Sequence, residues 1–454
     1  MPKALRFTSR SVLFLSAVFM VFQFFAVKRW QTEDLVWRNE MKSYYGYLPA
    51  LHIYGDVALE KTELTPQLMD RFYYPQPGPK RGHIFKTTMG VAIMQTPFFL
   101  IAHSIAINFN DPVDGYSRPY RILTVISAMF YCFFGLLFVR STLVRFFADW
   151  VVSLVLITLF MGTNLYFYTL YEGAMSHAYS FFLVAVFVYY TVSWHTRPTW
   201  WKMCVLGLAF GLIVLVRPVN GCVALFFLLY RDASQATLKE KFGLLFSQWK
   251  GLLSAAACVL LVLAPQLAYW KYTGGSFFFY SYGEESFFWL RPKIWLGLFS
   301  YQKGWLVWTP VMWFAILGLL GLRKAARPAF WAVLVTLPVY VYVIFCWWCW
   351  WYGGGFGMRP MIDVMPILAL PLAAFFRSVG NTKFLVWPVL GIWFFLVSLN
   401  LFQTRQYAWG KLHWAGTTKP IYWQMFLNDY PQENLSHELR EPNLEEAMKG
   451  ETGL

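Results

Sequence analysis

The chain has 454 residues, 58% of them hydrophobic and only 13% charged, with a formal net charge of +15. Soluble domains carry about 25% charged residues, so this composition excludes an ordinary globular enzyme and predicts an all-α polytopic membrane protein. The Lys and Arg residues lie in twos and threes between apolar segments, which fits orientation signals and lipid headgroup contacts and argues against a nucleic-acid groove.

Lys3, Arg6 and Arg10 precede an apolar run from about residue 11 to 28, with no small-residue cleavage site before Lys28-Arg29-Trp30. This predicts an uncleaved first helix with the N-terminus cytoplasmic. Residues 29–119 read as a long first outer loop, far too long for a tight connection and therefore functional. Its apolar part, Met89 to Ile107, contains Pro97 and His103. If this part crossed the membrane, the later short loops from Arg140 and Arg145 to Arg377 and Lys383 would put their cations outside. The positive-inside rule therefore assigns it as a juxtamembrane or re-entrant helix.

Further spans are expected at about 120–139, 150–170, 176–194, 203–216, 219–230, 251–270, 303–322, 328–347, 361–378 and 383–402, about eleven with the first. Two of these, 203–216 and 219–230, are shorter than the roughly twenty residues of a full span and flank Arg217-Pro218. Backbone groups freed at such a break need protein or a water-filled cavity around them, so Arg217 is expected to face a cavity. The transmembrane domain thus covers 1–402, and 403–454 form an outer-side tail whose acidic end, Glu433 to Leu454, is expected to be poorly ordered. Within it Asn434-Leu-Ser436 fits an N-glycosylation pattern. The six cysteines all lie in or beside apolar stretches, and Cys346-Trp-Trp-Cys349 reads as a pair of buried, inert thiols. No zinc-type ligand cluster is present.

With this orientation the unusual polar residues collect on one side: Glu40, Asp56, Lys86, Arg121, Glu172, His177, Arg217, Glu284, Glu285, Arg291, Lys303 and Arg359. Ionisable residues beside apolar spans are costly and tend to line cavities or pathways. Carboxylates and cations in a cavity open to lipid suit a lipid phosphate substrate. The cations hold the phosphate as charge develops on it, and a carboxylate takes a proton from an incoming hydroxyl or amine. Lys86, Arg217, Arg359 and Lys303 are the phosphate-binding candidates. Glu40 is the first catalytic candidate, with Asp56 as its rival at the end of the same stretch and Glu172 in support. Tyr44, Tyr45, His177, Trp351 and Tyr352 are candidate substrate contacts. The Trp347–Pro360 segment joins an aromatic wall to a Gly-rich turn that lets backbone approach a ligand closely.

The layout, with Glu40 in the first outer loop, Lys86-Thr-Thr-Met89 ahead of a juxtamembrane helix, Arg121-Ile-Leu opening the second span and Arg217-Pro218 between two short helices, resembles the GT-C superfamily of integral membrane glycosyltransferases. Tyr44-Tyr-Gly-Tyr-Leu-Pro-Ala50, Glu172-Gly-Ala-Met-Ser-His177 and Trp350-Trp-Tyr-Gly-Gly-Gly-Phe-Gly-Met-Arg359 look like motifs of bacterial membrane proteins of this type. The likeness is greatest to the branch of protein O-mannosyltransferases and the lipid A aminoarabinose transferase. The resemblance implies an inverting transferase with a polyprenyl-phosphate sugar donor, and the acid of its first outer loop falls on Glu40, where Asp is commoner. It places Lys86 at the donor phosphate, although Lys86-Thr-Thr-Met89 lacks the two prolines of the family segment. Arg217-Pro218 corresponds to its Lys-Gly-Pro turn, and its second acid falls on Glu172 or His177. Some members use a divalent cation, so one is possible here. The acceptor would be a lipid, glycan or protein, and the expected site is the outer, periplasmic face of a bacterial inner membrane. A transporter or flippase of a lipid-linked or anionic substrate is the alternative.

Overall fold

The computed structural model describes residues 8–232, 237–430 and 435–454. The expected cations Lys3 and Arg6, and Asn434 of the glycosylation triplet, lie outside the described residues. Helices dominate, and the only sheet among the described residues is a two-stranded hairpin, Gln76–Pro77 against His83–Ile84.

Among the described residues eight helices are long and apolar enough to cross a membrane: Ser9–Val27, Gly90–Asn108, Arg118–Leu143, His177–Thr196, Trp249–Thr273, Arg327–Phe345, Arg359–Gly380 and Lys383–Ala408. Three shorter apolar helices, Asp149–Met161, Trp200–Val216 and Pro218–Leu229, occupy other expected spans. The chain is thus a polytopic membrane protein, with eight helices of spanning length among the described residues against about eleven expected spans, two of which were expected to be short. The expected span at 303–322 is broken. Pro310 has no N–H and Thr309 takes a non-helical conformation (φ −136°, ψ 60°), so Trp305–Trp308 and Trp313–Ala325 are separate helices.

The segment expected to be juxtamembrane forms one continuous helix, Gly90–Asn108, through Pro97. Its two flanks return to neighbouring residues of the Glu40–His52 helix. Thr87 bonds Ser43 at 3.0 Å, and the carbonyl of Gly115 accepts from Tyr45.

Burial divides the helices into two kinds. His177–Thr196 and Arg359–Gly380 are apolar and enclosed by other helices, whereas Ser9–Val27, Trp249–Thr273 and Lys383–Ala408 expose most of their apolar surface. An apolar helix facing outward is stable only against lipid, so the latter form the rim and the former the core. Trp249–Thr273 packs closely on Trp200–Val216, where a Cβ on Gly207 would come within 2.4 Å of the Ala255 carbonyl oxygen. Both core helices begin at the same end, with His177 and Arg359, and the polar residues gather there.

The tail differs from its expectation. Residues 435–454 dock on the Trp-rich segment: Trp350 Nε1 donates to the Thr452 carbonyl and Lys293 Nζ to the Gly450 carbonyl, both at 2.9 Å. Composition marked this stretch as apolar-poor, but backbone carbonyls need no apolar side chains to cap buried donors.

Candidate active site

Asn39, in a left-handed conformation (φ 49°), turns the chain into the Glu40–His52 helix, so Glu40 stands at a helix N-terminus, where negative charge is favoured. Its Oε2 accepts from Arg359 Nη2 at 2.9 Å. About a third of the Glu40 side chain (35%) stays open to solvent, while Arg359 is almost fully covered. Burial alone would raise the Glu40 carboxyl; Arg359, Lys86 and Arg217 outweigh it and hold the group below the ordinary carboxylate range. Glu40 is therefore ionised at neutral pH and faces an opening.

Tyr44, one helical turn on, lies on the same face and in the field of Arg217 and Glu40. Tyr45 points the other way. It stacks on Trp37 at 4.3 Å and donates to the Gly115 carbonyl, so it is a core residue and not a substrate contact.

Lys86 meets Glu285 at 2.5 Å and lies over the Tyr282 ring, close enough to Glu40 to act on it electrostatically. Burial would lower the Lys86 ammonium; the bond to Glu285 reverses this and raises it. Lys86 is therefore a fixed cation whose partner a phosphate could displace.

A buried clamp fixes Arg217. Its Nε lies 3.3 Å from Asp363 Oδ2, its guanidinium over the Tyr352 ring at 5.7 Å, and its Nη1 at 3.3 Å from the His177 imidazole. Asp363 is 0% exposed and accepts from His177 Nδ1 at 2.9 Å and Asn220 Nδ2 at 3.0 Å. A carboxylate accepting from Nδ1 fixes the His177 tautomer with its proton there, and Arg217 Nη1 lies 3.3 Å from both ring nitrogens. Pro218 breaks the helix here, and the turn carries Asn220 back to the same carboxylate.

Glu172 receives Arg38 at 3.3 Å and is buried beside Arg359, Arg29 and Lys303. Burial raises its carboxyl more than these cations lower it, so it gains a proton more readily than Glu40 does. Lys303 does not point to an open anion site: its Nζ donates to the Gly355 carbonyl and lies over Tyr407. It fastens the glycine turn, where Gly355 (φ 153°) has no room for a Cβ beside the Tyr168 hydroxyl. Trp351 is 1% exposed and packs among Trp348, Trp350 and Gly453, forming wall rather than contact surface.

Asp56 lies apart, beyond the far end of the Glu40–His52 helix. It accepts from the backbone N–H groups of Glu60, Lys61 and Thr62, and from the Thr62 hydroxyl. Burial would raise its carboxyl, but these donors lower it. That stability is present above the ordinary Asp range and is lost as pH falls through the depressed value. Asp56→Ala is expected to cost about 1–2 kcal/mol, read as a lower melting temperature, with transfer activity retained.

Sequence reasoning did not single out Asp363, Asn220, Arg38 or Arg29. Asp363 had a signal: it is the one carboxylate inside the expected 361–378 span, where an ionisable group needs a reason. Among the described residues no group of three or more His, Cys, Asp or Glu side chains could hold a metal ion. Glu40, Glu172, Glu285 and Asp363 each face a cation instead.

No protein-family model and no curated protein sequence matches the chain. Solved structures do. ArnT from Cupriavidus metallidurans, bound to undecaprenyl phosphate, aligns with TM-score 0.50 and 11% identity over 80% of this chain and 59% of its own. The Archaeoglobus fulgidus oligosaccharyltransferase in its apo form aligns with TM-score 0.51 and 10% identity over 96% of this chain and 62% of its own. The chain thus spans about three fifths of the length of these structures. At such low identity the likeness is one of fold: the chain shares the membrane fold of these two structures.

Proposed function

We propose that the protein is a glycosyltransferase that moves a sugar from a polyprenyl-phosphate donor to an acceptor on the outer face of the membrane, with inversion at the sugar carbon. The observation that carries this is the Glu40 carboxylate. It is open to solvent, at the N-terminus of the Glu40–His52 helix, bonded to Arg359 and within the fields of Lys86 and Arg217.

In this reading the donor phosphate enters beside Lys86, Arg217 and Arg359 and competes with Glu40 for Arg359 and with Glu285 for Lys86. Losing the guanidinium makes Glu40 a stronger base when the donor is bound, which suits it to take the proton of the acceptor hydroxyl or amine. The C–O bond between sugar and phosphate breaks as the acceptor attacks, and the phosphate keeps the electron pair, stabilised by the cations. Lys303, Trp351 and Tyr352 shape the surrounding wall. ArnT was solved with undecaprenyl phosphate, which fits a donor of this class.

The test is transfer by purified protein from undecaprenyl phosphate carrying a labelled hexose. Lys86→Ala should raise the donor KM by about tenfold or more without changing monodispersity, since a charge-assisted bond to phosphate contributes roughly 1.5–3 kcal/mol. Lipid movement between leaflets without any cleavage of the sugar–phosphate bond would replace this reading with the transporter.

A further inference from the structure

The segment that follows the short Pro66–Arg71 helix holds an unusual stretch of backbone near the site. Tyr73 and Tyr74 are consecutive non-glycine residues with positive φ, 59° and 47°, and Tyr74 precedes a proline. Bulky side chains seldom adopt this region singly, still less twice in succession, and the residue before proline has fewer options still. Surrounding contacts hold the bend in place. Asp70 is tied to Lys42 at 2.6 Å, the Tyr74 N–H donates to the Met69 carbonyl at 2.8 Å, and Phe72 is buried against Phe85 and Gly46.

These anchors sit on both sides of the site: Lys42 follows Glu40 by two residues and Phe85 precedes Lys86. The bend therefore leaves Tyr73 between them, half-buried, in the field of Glu40, Lys86, Glu285 and Arg359. Among the described residues its hydroxyl makes no hydrogen bond, whereas the hydroxyls of Tyr45, Tyr47 and Tyr269 are all engaged. A strained position that presents a solvent-reached hydroxyl, free of protein partners, beside charged groups suits a ligand contact.

We infer that Tyr73 is a sugar-binding residue, its hydroxyl exchanging a hydrogen bond with a hydroxyl of the donor sugar or the acceptor beside Glu40. This rests on the transferase reading. The nearby charges hold phosphate, carboxylate and proton, and Tyr73 adds a neutral donor and acceptor suited to a sugar hydroxyl.

The test compares full-length wild type, Tyr73→Phe and Tyr73→Asn in detergent, binding undecaprenyl phosphate bare or carrying a hexose, together with turnover in membranes. If the donor sugar is the partner, Tyr73→Phe loses about tenfold in affinity for the sugar-bearing lipid and nothing for the bare one. If the acceptor is the partner, both affinities hold and turnover falls about tenfold. Asn tolerates positive φ, so Tyr73→Asn should melt no lower than wild type while losing at least as much function; a purely structural tyrosine would not separate the two. Unchanged binding and turnover in Tyr73→Phe overturns the assignment, as does loss of affinity for the bare lipid, which would make the hydroxyl a phosphate ligand. A wild-type protein that binds neither lipid removes the transferase reading, and this assignment with it.

Discussion

Glu40→Gln is expected to lower transfer by roughly 10²–10⁴, the usual contribution of a positioned general base, with no loss of expression or monodispersity. The amide keeps the size and can still accept from Arg359, but it cannot take a proton. Glu40→Asp should retain part of the rate, because Asp keeps the charge while shortening the reach to the opening. Donor binding should be nearly unchanged in Glu40→Gln, or slightly tighter, since Arg359 is then released from a charged competitor. The pH profile gives a second reading. In the free enzyme Glu40 lies below the ordinary carboxylate range, so the acidic limb of kcat/KM should fall below that range. With donor bound and Arg359 drawn to the phosphate, the acidic limb of kcat should move up. Full transfer by Glu40→Gln would end the assignment and leave Glu172 as the remaining open question for the base.

The same residue illustrates what the sequence could and could not tell. Charge distribution around apolar runs was enough to put Glu40, Lys86, Arg217 and Arg359 on one side, and the structure brings these four together. Composition could not separate Tyr44 from Tyr45, because facing depends on helix phase, and one position turns a residue from site to core. Asp56 looked equivalent to Glu40 in sequence, yet three backbone N–H groups claim it, and those bonds depend on the fold of the 56–62 loop. Lys303 carried the right charge but meets a carbonyl across more than fifty residues of chain. Trp351 had the right chemistry and is enclosed by the docked tail, a contact no local pattern encodes. Spans were legible as apolar runs and less so as lengths: the break at Pro218 could be read from the sequence, but the break at Pro310 divides a run that hydropathy joins.

The second large effect is expected at Asp363, which touches no opening. Its carboxylate lies fully inside the core, between the start of His177–Thr196 and the broken helix at Arg217, and it neutralises a guanidinium that is itself mostly covered. Removing one partner of such a pair leaves a charge that protein and lipid solvate poorly, at a cost of about 3–5 kcal/mol. Asp363→Asn keeps the shape and can still accept from His177, but it loses the charge and turns an N–H2 toward the Arg217 and Asn220 donors, so the loss combines charge and hydrogen bonding. It should appear as a lower melting temperature in detergent together with weaker donor binding, as Arg217 turns toward Glu40 in search of an anion. The double variant Asp363→Asn with Arg217→Gln removes both charges and should melt above Asp363→Asn alone, because no unpaired ion remains. That sign decides between two accounts of the clamp. If the double variant is as unstable as the sum of the singles, Asp363 and Arg217 act independently and the pair does not hold the site. If it recovers stability while donor binding stays lost, then Asp363 makes it possible to keep a cation at this depth, and Arg217 is kept there for the phosphate.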